Sequence, residues 1–209
     1  MKVHRLHNNI FAIVIPDAYR RSMVFLRVQE YSDSSKPKFR GHSFDILDFI
    51  DWYTMENDDF SYANDWEGFN VPYQVAIECY RKLPDKWVTK YDMEFLDCLR
   101  QISEQLNSLT EKAYIIGVDS LSSRTFRHEM SHALYYMDSD YRLKTKALLD
   151  QIQPKIYNRL RRNLLNMGYT DTVIETEIQA YLKTDWSHPE FKQGLPISTM
   201  KRLHKAFTQ

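Results

Sequence analysis

Two rhythms of apolar residues alternate along the chain. "NNIFAIVIP" (residues 8–16) and "KAYIIGVDS" (112–120) are short, β-branched runs bounded by turn-forming residues, which predicts strands. Most other segments repeat their apolar residues at helical spacing. The first such segment, 17–31, opens on Asp17 as an N-cap and carries Tyr19, Met23 and Leu26 on one side, although 23–28 also fits a strand. Further helices are expected at 44–55, at 73–83 and at 90–109, the last through Phe95, Leu96, Leu99, Ile102 and Leu106. Past the second strand the pattern predicts helices over 121–137, over 139–168 with a break at Pro154 and a stop at Gly168, over 171–184 and over 198–207. Residues 32–43 read as a loop. So do residues 56–72, an acidic stretch expected to pack through Phe60, Tyr62, Trp66 and Phe69.

This pattern is α+β and mainly helical, with a small sheet that includes 9–15 and 112–118. No repeat or linker-like stretch interrupts it. A single domain over 1–209 is expected, with a sheet-bearing half (about 1–137) and a helical half (about 138–209).

Composition removes several kinds of function. Lysine plus arginine and aspartate plus glutamate both number 28, so no global field favours nucleic acid or an anionic membrane. The basic stretch 155–164 reads as a solvated helix face. With 5 glycines and no Walker or dinucleotide fingerprint, nucleotide chemistry is not expected. Cys79 and Cys98 are too few and too far apart for a disulfide framework or a thiolate zinc site, which fits a reducing, cytoplasmic setting. The apolar run 10–16 is too short to span a membrane. The partner must be read from a site.

That site begins at "FRHEMSHALYY" (126–136). On a helical wheel Phe126, Met130, Ala133, Leu134 and Met137 gather on one side, the expected core face. His128 and His132 fall opposite, beside Tyr135 and Tyr136, where a solvated face would carry lysine or glutamate. Residues four apart stack on one helical face, so both imidazoles can reach one metal ion. Glu129 is rotated off the ligand direction and can hold a water instead. This is the H-E-x-x-H arrangement, expected by chance in about 0.012 copies in a chain of this composition.

A catalytic zinc site takes three protein donors and leaves a fourth position for water. The segment "DTVIETEIQAYL" (171–182) offers Glu175 and Glu177. Glu177 falls inside an apolar arc, where a bare carboxylate would be costly, and a metal would satisfy it. Asp138, Asp140 and His188 are the other candidates. The two aspartates fit better as a helix stop and an N-cap, and His188 as a surface loop residue.

His128, Glu129 and His132, the preceding strand 113–118 and the later "ETEIQAY" together resemble the zincin metallopeptidases, in the branch whose third ligand is a downstream glutamate. The resemblance covers about residues 112–184. It implies zinc held by His128, His132 and Glu177, Glu129 as general base, a peptide or protein substrate, and 113–118 as an edge strand along which that substrate pairs. From the element pattern, a histidine pair on one helix and a glutamate on another are expected to meet at the floor of a cleft between a sheet-bearing half and a helical half. Tyr181, Tyr135 and Tyr136 are candidate donors to a developing oxyanion, and each also fits as a packed, hydrogen-bonded phenol. The expectation is a zinc peptidase; the alternative is a zincin-like metal-binding or interaction domain that catalyses nothing.

Overall fold

The two β-branched runs lie side by side. In the computed structural model, which describes residues 1–108 and 110–208, β2 (Ile10–Val14) and β4 (Tyr114–Val118) are parallel neighbours, paired from Ile10 with Tyr114 to Val14 with Val118. β1 (Lys2–Arg5) adds to β2 and β3 (Phe69–Pro72) adds to β4, both antiparallel, giving the order β1-β2-β4-β3. Every residue of β4 is buried, as are Ile10 to Ile13 of β2, the usual state of strands covered on both faces.

The order corrects one expectation. β4 is flanked on both sides, by β2 and by β3, so its ladder hydrogen bonds are already taken. It cannot serve as the open edge along which a peptide pairs. The acidic stretch 56–72 is not all loop: Phe69–Pro72 form β3 because a partner, β4, is there to complete the ladder.

The chain divides into two compact units, Met1–Phe126 and the part from Arg127 onward. Around the sheet of the first unit run α1 (Ala18–Asp33), α2 (Ile46–Asn57), α3 (Tyr62–Asp65), α4 (Tyr73–Arg81) and α5 (Lys90–Ser103). The helix expected over 90–109 ends at Ser103, and Leu109 lies outside the described residues. α1 resolves the helix-or-strand ambiguity at 23–28 in favour of helix, capped by Asp17 accepting the Arg20 N–H at 2.6 Å. It is buried from Arg21 to Val28, so its sequence lacks a polar stripe. Arg27 within it pairs with Asp92 of α5 at 2.7 Å, both side chains 2% exposed. Its Nη groups also donate to Asp92 and to the carbonyls of Phe44 and Trp87. Gly117 in β4 has a packing reason: a Cβ there would stand 2.4 Å from the Phe25 ring.

The motif helix α6 (Arg124–Met137) starts where Ser123 Oγ accepts the Phe126 N–H at 2.9 Å. Its motif residues belong to the second unit, with α7 (Ser139–Asp150), α8 (Pro154–Asn166), α9 (Ile174–Thr184) and α10 (Ile197–Thr208). The expected break at Pro154 is a full helix end, and proline opens α8 at the position where its missing N–H costs nothing. After α8, Gly168 takes φ +94°, the left-handed conformation that closes a helix. Leu149, Leu160, Leu164, Ile178, Leu182, Phe191 and Met200 form the core of this unit. Among the described residues no helix is long and apolar enough to cross a membrane.

Candidate metal centre

Of the face the wheel assigns to the core only Ala133 is fully buried, and α6 mainly covers the opposite one. Glu129, Ser131, His132, Ala133 and Tyr135 are buried, whereas Phe126, Met130, Leu134 and Met137 are only half-buried. Hydrogen bonds from His128 to Thr184 and from Tyr135 to Glu175 place α9 along the histidine face. Polar side chains there are covered because they meet each other.

Three donors converge between the two helices. His128 Nε2 and His132 Nε2 are 3.2 Å apart. One carboxylate straddles them, with Glu177 Oε1 at 3.4 Å from His132 Nε2 and Glu177 Oε2 at 3.5 Å from His128 Nε2. Zinc bonds of about 2.0–2.1 Å at tetrahedral angles set donors about 3.3–3.4 Å apart. The observed separations bracket that edge. Glu177 Oε2 is buried and makes no hydrogen bond, which is the state of a carboxylate oxygen shaped for a cation. Among the described residues these three form the group of histidine, cysteine and carboxylate side chains that could hold a metal ion. The donor set of two imidazoles and a carboxylate suits zinc.

Electrostatics concentrate charge at this point. Burial pushes His132 down to about 4, with the Glu177 charge opposing and the neighbouring His128 reinforcing the fall. Burial acts the same way on His128, but the facing Glu177 carboxylate, with help from Glu129 and Asp185, lifts it above the ordinary histidine value. Burial would raise Glu177, yet the charges of His132 and His128 hold it below the usual carboxylate range. The metal-free cluster is therefore a buried anion that keeps a proton close.

Tyr181, one turn after Glu177, lies edge-on to the His128 ring at 5.0 Å. Phe191 stacks on its other side at 4.7 Å, in a segment anchored by Asn163 donating to the carbonyls of Phe191 and Gln193. The Tyr181 hydroxyl is 3.1 Å from that of Tyr169. One bond between two hydroxyls leaves one phenolic proton for another acceptor. Burial raises Tyr181 to about 12, so it stays protonated. Glu129 is 6% exposed, and its charge acts on His128, Tyr169 and Tyr181.

The other candidates fall elsewhere. Asp138 caps α7, accepting from the Asp140 and Tyr141 N–H groups. Glu175 points away, accepting from the Tyr135 hydroxyl, with Lys146 at 3.7 Å; this occupies Tyr135 as well. His188 sits edge-on to Tyr181 at 5.8 Å and is not among the three donors. On the basic face of α8, Arg161 pairs with exposed Asp171. Sequence reading missed Tyr169, which no spacing rule links to the motif, and Thr184, which stands two helical turns after Glu177 and so shares its face.

No family model, no curated protein and no solved structure matches the chain. The chemistry of the site has to be argued from its own atoms.

Proposed function

We propose that the protein is a zinc-dependent hydrolase that cleaves peptide bonds in a peptide or protein substrate. What supports this reading above all is the trio of buried donors, His128, His132 and Glu177, at separations that suit a tetrahedral ion. When bound, zinc supplies Lewis acidity that polarises a carbonyl and eases deprotonation of water. Glu129, held beside the donors by the helix that carries both histidines, takes the proton of the attacking water and delivers it to the leaving amine. Tyr181, protonated and braced by Phe191, donates its hydroxyl hydrogen toward the oxyanion, with Tyr169 as its hydrogen-bonded support. The unpaired, buried Cys79 and Cys98 are compatible with a reducing cytoplasmic setting.

A second reading, a zincin-like domain that binds metal and catalyses nothing, is favoured by one observation. The strand expected to receive a peptide has no open edge. Single-turnover hydrolysis of a peptide library by zinc-loaded protein, with Glu129→Gln as control, separates the two. Cleavage by the wild type and its loss in the variant support the hydrolase. Zinc binding with no cleavage by either protein supports the second reading.

A further inference from the structure

α9 supplies more than the third donor. Glu177, Tyr181 and Thr184 recur at spacings of four and three, so all three project from one face of the helix. They meet His128 at three places. The carboxylate faces Nε2 at 3.5 Å, the phenol ring stands edge-on at 5.0 Å, and Thr184 Oγ1 lies 3.2 Å from Nδ1.

The direction of the last contact is fixed by the threonine itself. Thr184 Oγ1 donates its single proton to the Ala180 carbonyl at 2.7 Å, the backbone bond that a helical threonine makes one turn back. Toward His128 it can offer only lone pairs. His128 must therefore carry a hydrogen on Nδ1, so that once the ring is neutral it is Nε2 that turns a lone pair toward Glu177 and His132. A donor of a metal ion needs that tautomer, and a ring nitrogen held by an outer partner keeps its orientation without searching for it.

We propose that Thr184 is a positioning residue of this centre. By accepting from Nδ1 it fixes the tautomer and the ring angle of His128, so that Nε2 is aimed at the ion before the ion arrives. The inference rests on the metal-binding reading given above, and it adds a residue outside the H-E-x-x-H motif.

The test is a competition titration of zinc affinity on wild type, Thr184→Val and Thr184→Ser, combined with nitrogen-15 histidine spectra of the zinc-loaded proteins. The wild type should show a His128 Nδ1–H signal shifted downfield and protected from exchange. Thr184→Val keeps the shape and removes the acceptor; it should bind zinc about 10- to 100-fold more weakly, the usual effect of losing an outer partner, with that signal exposed or lost. Thr184→Ser should restore most of both. Unchanged affinity in Thr184→Val with the signal retained would overturn the proposal. Equal weakening in Thr184→Ser would also overturn it, since the methyl group and not the hydroxyl would then matter. A wild type that binds no zinc would refute the metal reading itself, and this inference with it.

Discussion

His132 Nε2 and Glu177 Oε1 stand 3.4 Å apart, at 6% and 10% side-chain exposure, on helices with three elements of chain between them. A buried carboxylate against a histidine that burial keeps neutral draws its compensation in the metal-free protein from His128, which must give up its proton when a metal binds. The pair gains its full value only with a cation between the donors.

The first prediction follows from that imbalance. Zinc at about 100 times its dissociation constant should add about 2.7 kcal/mol to stability, seen as a rise in Tm that a chelator reverses. Glu177→Gln preserves volume but removes the charge. It should abolish the zinc-dependent rise; a variant that responds to zinc as the wild type does would remove Glu177 from the ligand set.

Glu129 should be separable from metal binding. Glu129→Gln is expected to bind zinc with wild-type affinity and to lose about 10²–10⁴-fold in hydrolytic rate. Affinity by titration and single-turnover rates read the two effects independently.

Acid should expel the metal. His128 is raised above the ordinary histidine value by Glu177, so in the free protein it still holds a proton at a pH where a normal histidine has lost it. Binding must release that proton. Affinity should begin to fall as pH drops while still above about 6.5, and calorimetry in buffers of different ionisation enthalpy should register proton release on zinc addition.

In the first unit, Arg27 and Asp92 form a buried pair that should matter far more than a surface one. Arg27→Met leaves the Asp92 carboxylate uncompensated and should cost about 3–5 kcal/mol by denaturant unfolding. Burial opposes the Asp92 charge, but Arg27 and Thr89 outweigh it and hold the group below its ordinary value of 3.8. The sign follows: a depressed carboxyl stabilises the fold above its unfolded pKa, and that contribution is lost as pH falls through the folded one. The variant should lose the part of this acid-side dependence that Arg27 supplies.

Gly117→Ala drives a methyl into the Phe25 ring. An overpacking loss of about 1–3 kcal/mol is expected. Adding Phe25→Leu should recover part of it, a coupling that a double-mutant cycle reads directly.

Legibility in the sequence followed how local each determinant is. The donors could be read because helical spacing alone places His128 beside His132, and because Glu177 is an acid within an apolar arc. β2 and β4 were visible through their β-branched runs. β1 and β3 were not, since "KVHR" and "FNVP" become strands through the partners they join. The burial of α6 departs from the wheel, Ala133 apart, for a related reason: its polar face is covered by matching polar groups on α9, a relation that hydrophobicity does not register. Thr184 follows from the same gap, because its role depends on where a hydroxyl proton goes.

The most direct test of the central claim is metal content by mass spectrometry on protein prepared without chelator or metal-affinity resin, with His132→Ala and Glu177→Ala alongside. One zinc per chain in the wild type and little in either variant is the expected result. No zinc in the wild type, even after reconstitution, would contradict the account and leave His128, His132 and Glu177 as a buried polar cluster.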